Sequence, residues 1–174
     1  LEAKELVAEC SAELAEQGIK HKADIPIGVM IEIPSAALCA DILASEADFF
    51  SIGTNDLTQY TLAVDRNSET LSYKYAQHHP SVLRLIQMVL KAARKAGITV
   101  GVCGEMASIL QYVPLLVGLG LEDLSVQPAK IATIKSIVRK CDLHLEEMVQ
   151  NGDLDHLNKV ENLIYNKLKN YYQD

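Results

Sequence analysis

The sequence lacks any surplus of positive charge: 16 lysines and arginines stand against 23 aspartates and glutamates, for a net charge of −7. Nucleic-acid surfaces are built on a basic stripe, so that class of partner is excluded. No stretch reaches the ~20 consecutive apolar residues of a membrane span, and no charged-then-apolar signal segment opens the chain. CxxC pairs are missing too. Cys10, Cys39, Cys103 and Cys141 are scattered, and without a secretory signal they read as reduced thiols in a cytoplasmic protein. Repeats, low-complexity tracts and linkers are equally absent. What is there is 174 residues, 49% apolar and 22% charged, enough for one ordinary globular domain with a real core. The first residue is Leu1 rather than methionine, as expected of a piece of something longer.

Apolar periodicity divides the chain into alternating elements. Residues 1–17 predict an amphipathic helix, with Leu6, Cys10 and Leu14 at a spacing of four and Gly18 as its stop. Ile25-Pro26-Ile27-Gly28-Val29-Met30-Ile31 is a continuous apolar run, the pattern of a strand covered on both faces. It ends in Glu32-Ile33-Pro34, and Pro34 suits the first turn of a helix through about Ala47. Phe49 to Ile52 predicts a second strand, and residues 55–79 a long loop carrying a short helix. A helix from Pro80 follows, with Val82, Leu85, Ile86, Val89 and Ala93 on one face and Gly97 as its end. The third strand is expected over 98–102, a helix over 108–117, and a short fourth strand over 124–126. Helices close the chain at about 129–139, 143–150 and 154–171. Alternating βα units imply a parallel sheet with right-handed crossovers, and four strands are half of what a (β/α)8 barrel needs.

Parallel strands all point their carboxyl ends the same way, so their terminal residues converge on one rim. The rim predicted here offers Glu32, then Asn55 and Asp56, then Cys103, then Ser125 and Gln127. Glu32 and Asp56 suit Mg²⁺, which takes one or two carboxylates and completes its shell with water and a substrate's phosphate. They serve equally as rim charges matched to lysines or water. Asn55-Asp56, following Phe49-Phe50-Ser51-Ile52-Gly53-Thr54, also reads as turn and capping chemistry, delivered before any helix begins. Cys103 is either a small buried hydrophobe or, beside a metal and an anion, a proton donor or acceptor. Arg66 can grip a phosphate with its two-pronged guanidinium, or pair with Asp65 on the surface. His78-His79-Pro80 reads as packing ahead of a helix, and His21, His144 and His156 lie in polar segments. Cys10, Cys39 and Cys141 carry no assigned chemistry.

The stretches Gly28-Val29-Met30-Ile31-Glu32-Ile33-Pro34-Ser35-Ala36, Ser51-Ile52-Gly53-Thr54-Asn55-Asp56-Leu57-Thr58-Gln59-Tyr60 with Ala63-Val64-Asp65-Arg66, and Cys103-Gly104-Glu105-Met106-Ala107 closely resemble Enzyme I, the phosphoenolpyruvate–protein phosphotransferase family of bacterial sugar uptake. The resemblance runs from the first helix nearly to the C-terminus. It implies an α/β fold, the C-terminal half (about four βα units) of a (β/α)8 TIM-type barrel with a helical tail. Residues 1–174 would form one partial phosphoenolpyruvate-binding domain, βα units over 1–139 and C-terminal helices over 140–174. By motif match, Glu32 and Asp56 would be ligands of a Mg²⁺ cofactor, Asn55 and Arg66 would contact the substrate phosphate, and Cys103 would protonate the enolate carbon as pyruvate leaves. The resemblance further implies phosphoryl transfer to a histidine on a separate domain, the small phosphocarrier HPr as the next acceptor, a homodimer, and a cytoplasmic location without membrane insertion.

Two places depart from the family pattern. Ser108-Ile109 replaces the usual Gly-Asp after the cysteine motif, and Ser125-Val126-Gln127-Pro128 replaces a Ser-Met-Ser-like strand end. The family's first four βα units and its arginine clamp would precede Leu1, so this chain alone is expected to be inactive. The C-terminal domain of a pyruvate phosphate dikinase or phosphoenolpyruvate synthase is the alternative within the class. A non-catalytic half-barrel that dimerises over its exposed strand edges is the alternative outside it.

Overall fold

A computed structural model describes residues 2–68 and 75–141. Helix α1, Glu2–Glu16, is ended by Gly18 at φ 68, where the N–H groups of Gly18 and Ile19 bond back to Ala15 and Leu14. Its stripe remains uncovered: no residue of α1 is buried. Four strands then form one all-parallel sheet in the order β1 (Val29–Ile31), β2 (Phe49–Gly53), β3 (Thr99–Cys103), β4 (Asp123–Leu124). Each strand is thus added beside its predecessor and on the same side. The crossovers are α2 (Pro34–Leu38) and α3 (Ala40–Ala44), then α4 (Thr54–Leu62) and α5 (Pro80–Ala96), then α6 (Val113–Gly118), with α7 (Ile131–Lys140) after β4.

The core lies between the sheet and α5. Ile31, Phe50, Ile52 and Val102 point from the strands into it, and Val82, Leu83, Ile86, Val89 and Ala93 meet them, all at most 1% exposed. Each large side chain buried there stabilises the fold by roughly 1.5–3 kcal/mol. α5 starts as its sequence dictates, with Pro80 in the first turn and His79 as cap, Nδ1 accepting from the Ser81 N–H at 3.3 Å. α2 and α3 pack their buried alanines, Ala37, Ala40 and Ala44, against this helix.

Several expectations change. Among the described residues the strands are covered on one face only: burial alternates along β2 and β3, and Met30 and Phe49 on the other face are 49% and 38% exposed. Continuous apolar sequence therefore serves a sheet with one packed face and one open face. The single helix expected from Pro34 to Ala47 is broken at Cys39, with φ −101 and ψ 20; nothing in the residue types explains this break. Asn55 and Asp56 do not precede a helix but occupy the first turn of α4, because Gly53 caps it directly and Asp56 is favoured by the helix's positive end. The helix expected over 108–117 is a 3-10 turn, Glu105–Ser108, followed by α6 starting only at Val113. Pro114 accounts for that start, since proline lacks an N–H and fits only a first turn. The helices expected at 143–150 and 154–171, with His144 and His156, lie outside the described residues. Among the described residues, no helix is long and apolar enough to cross a membrane.

Candidate active site at the carboxyl rim of the sheet

The open face carries a row of residues across the strand ends. Gly53 is paired with Cys103, and Ile31 and Val102 are paired with Ile52 and Leu124 one step below. Glu32 and Ser125 therefore stand level with Gly53 and Cys103. Gly53 is required by space: a Cβ there would lie 2.8 Å from the Cβ of Glu32 and 3.0 Å from its Oε2. The absent side chain lets the Glu32 carboxylate lie against Gly53 at the end of β2, the residue that caps α4; Asp56 sits in the first turn of that helix. Among the described residues neither carboxylate is engaged in a hydrogen bond or ion pair.

Cys103 is half-buried. Its sulfur accepts from the Ser51 hydroxyl at 3.4 Å, and its S–H faces the Ile52 carbonyl at 3.6 Å. The Thr54 hydroxyl donates to the Cys103 carbonyl at 3.2 Å, tying the start of α4 to the end of β3. Immediately afterwards Gly104 adopts φ 109 and ψ −179, a conformation essentially reserved for glycine. A Cβ there would also stand 2.6 Å from Thr54 Oγ1. That close approach brings the Glu105 N–H onto Asn55 Oδ1 at 3.0 Å.

A cleft of about 480 Å³ opens beside these contacts, lined by Asn55, Gly104, Glu105, Ser108, Ile109, Ser125, Gln127 and Lys130; Glu32, Asp56 and Cys103 do not line it. Lys130 reaches over from the start of α7 and donates to the Ser108 carbonyl at 3.0 Å. Both stretches that depart from the family pattern thus contribute to the lining, Ser108 and Ile109 from one and Ser125 and Gln127 from the other. Arg66 stands apart: it is exposed beyond the left-handed Ala63 that ends α4, and it does not line the cleft. Asp65 accepts from the Asn67 N–H at 2.8 Å, closing a turn around Arg66. His78 packs on Tyr112, ring centroids 5.6 Å apart, and His21 bonds Ser11 at 2.9 Å; neither lines the cleft. Burial pushes the Cys141 thiol up, and Cys10 and Cys39 are exposed.

Sequence reasoning missed three contributors to the rim. Ser51 and Thr54 lie inside the stretch singled out, yet their partner is Cys103, some fifty residues away. Gln77 lies in the segment whose elements were hardest to read, and no local signal marks it. Chemically the rim offers two uncommitted hard-oxygen ligands, a half-buried thiol, and an amide held by backbone. Among the described residues no cluster of three or more His, Cys, Asp or Glu side chains gathers.

Residues 1–143 match the family described as PEP-utilising enzyme, PEP-binding domain. The chain belongs to that family. It is 49% identical over 161 residues to the phosphoenolpyruvate-protein phosphotransferase of Priestia megaterium, covering 90% of this chain and 28% of that protein. Against the enzyme of the same name from Streptococcus equinus the identity is 45% over 162 residues, 93% of this chain and 28% of the relative. Against that of Staphylococcus carnosus it is 47% over 138 residues, 79% of this chain and 24% of the relative. The chain therefore spans about a quarter of the length of the curated relatives it matches.

Proposed function

We propose that this chain is the C-terminal half of the phosphoenolpyruvate-binding barrel of a phosphoenolpyruvate–protein phosphotransferase. In the parent reaction the phosphoryl group passes from phosphoenolpyruvate to a protein histidine and pyruvate is released. The observation that carries the reading is the rim itself: free carboxylates, a fixed amide and a half-buried thiol on neighbouring strand ends, in a chain 49% identical to an enzyme of that name. The same printed name recurs among the other relatives, which favours the phosphotransferase over a dikinase or synthase. The sequential, all-parallel strand order supports a half-barrel, since each right-handed crossover lays its helices on the same side. On this reading, strands from the preceding half would pair with the free edges of β1 and β4, and residues 140–174 would form a helical tail.

Phosphoryl transfer asks little covalent chemistry of a protein and much positioning and charge neutralisation. Glu32 and Asp56 would hold Mg²⁺, and their lack of described partners and the two-carboxylate donor set fit that ion. Bound there, it would neutralise phosphate charge. Asn55 would present its amide to the phosphate, and by motif match Arg66 would supply a second contact. As the P–O bond breaks, the phosphoryl group goes to the imidazole and the electron pair stays on the enolate oxygen. The enolate carbon then takes its proton from the Cys103 thiol. The homodimer, the phosphocarrier HPr as next acceptor and the cytoplasmic setting follow from the same reading. Self-association of the half-barrel is the second reading, favoured by the exposed Met30 and Phe49 on the open face.

In the full-length protein, Cys103→Ala should slow pyruvate formation by about 10²–10⁴-fold, the usual worth of a positioned acid, while Mg²⁺-dependent phosphoenolpyruvate binding persists. Loss of binding with normal residual chemistry would remove the thiol from its role. The 174-residue chain alone, mixed with phosphoenolpyruvate and Mg²⁺, should release no pyruvate above background. Pyruvate release would show that the missing half is dispensable. Sedimentation of the same chain as a clean monomer would count against self-association.

A further inference from the structure

The amide of Asn55 has a direction, and the structure shows what sets it. Its Oδ1 accepts from the Glu105 main-chain N–H at 3.0 Å. A backbone N–H can only donate, so the atom facing it is the oxygen and the Nδ2 points the other way. The same Oδ1 accepts a second bond, from Gln77 Nε2 at 3.1 Å. Because that acceptor is an oxygen, Gln77 must also turn its NH₂ end toward it. The Gln77 amide further lies 3.5 Å from the Tyr75 hydroxyl, which itself donates to the Asn55 carbonyl at 2.8 Å. Asn55 is thus gripped at its main chain by Tyr75 and at its side-chain oxygen by Gln77 and Glu105. Its Nδ2 has no partner among the described residues, and the side chain lines the cleft.

Gln77 bears a cost for this. It is 4% exposed, and its Oε1 has no hydrogen-bond partner among the described residues. A buried polar atom left unsatisfied is unfavourable, and such atoms in folded proteins call for a reason. The opposite amide orientation would not help, since it would set two oxygens against each other at Asn55. We infer that Gln77 is a positioning residue, which saturates Asn55 Oδ1 and so presents the Asn55 NH₂ group to the cleft as a donor for an anionic oxygen. This rests on the reading of the cleft as the phosphate site of phosphoenolpyruvate, and Gln77 itself touches no substrate.

The test uses the full-length protein with two variants, Gln77→Met and Gln77→Glu. Gln77→Met keeps the length and removes the donor. It should raise KM for phosphoenolpyruvate about three- to tenfold, the worth of one hydrogen bond, with KM for the protein acceptor unchanged. Gln77→Glu separates positioning from packing. Its neutral acid can donate to Asn55 Oδ1, whereas its carboxylate can only repel it. The penalty relative to wild type at the same pH should therefore be small at low pH and grow as pH rises. A penalty independent of pH, or an unchanged KM in Gln77→Met, overturns the inference. If Gln77→Met fails to fold, the Gln77→Glu pH profile decides. If wild type shows no phosphoenolpyruvate chemistry, the functional reading fails, and the Asn55 side-chain NH₂ resonances then judge the clamp. They should shift in Gln77→Met, and resonances that stay in place reject it.

Discussion

The two faces of one sheet, drawn from alternate residues of the same strands, are put to opposite uses. On the helix side Phe50, Ile52 and Val102 are at most 1% exposed and pack against α5. On the other side stand Met30, Ser51, Gly101 and Cys103, partly exposed and mostly small or polar. The first face supplies cohesion; the second supplies room and reactive groups. Neighbouring residues differ because side chains alternate along a strand, so one β-strand writes stability and chemistry in alternate letters. The rim is where the two meet: Cys103 ends its strand on the open face, and its sulfur reaches Ser51 one repeat below.

Mutation of the two faces should separate them. Phe50→Ala, at 1% exposure, should cost about 3–5 kcal/mol in urea unfolding. Met30→Ala, at 49% exposure, should cost no more than about 0.5 kcal/mol. Equal losses would break the comparison, and a larger Met30 penalty in the full-length protein would sharpen it by showing that the open face becomes covered there. At the rim, Gly104→Ala should destabilise by about 1–3 kcal/mol from its backbone conformation alone, and should weaken phosphoenolpyruvate binding by moving the Glu105 N–H off Asn55. An alanine tolerated without either effect would show that this approach is not needed. Away from both faces, Ala63 ends α4 at φ 53. Ala63→Gly should raise stability by up to about 1 kcal/mol, since glycine takes that conformation without strain. Finally, Cys141 should alkylate more slowly than the exposed Cys10 and Cys39, because its raised pKa leaves less thiolate near neutral pH. Mass spectrometry of a timed alkylation reads this directly.

Much of the architecture was legible in the chain. The amphipathic period from Pro80 to Gly97, closed by proline at one end and glycine at the other, marks α5 almost to the residue. Three apolar runs mark β1 to β3, whereas β4, expected over 124–126, is Asp123–Leu124 and shares only Leu124 with that run; the alternation with helices marks a parallel sheet. Less legible was which strand faces are covered, because an apolar run looks the same whether one face or two are packed. The start of α4 was hidden too, since Gly-Thr-Asn-Asp is good turn chemistry and good helix-start chemistry alike.

For the candidate site, sequence by itself singled out Glu32, Asn55, Asp56 and Cys103 as candidates, each just past an apolar run and each within a family motif. It did so because strand ends can be read from local patterns, and parallel strands send their ends to one rim. Tertiary structure alone decided how those groups are held. The Asn55 amide is oriented by Gln77 and Glu105, 22 and 50 residues away, and the Cys103 sulfur meets Ser51 across 52 residues. Of these candidates and Arg66, only Asn55 lines the cleft; Glu32, Asp56, Cys103 and Arg66 do not. Hydrogen bonds of that span depend on strand register and on two glycines that let backbone and side chain approach, and no local pattern of residues encodes either.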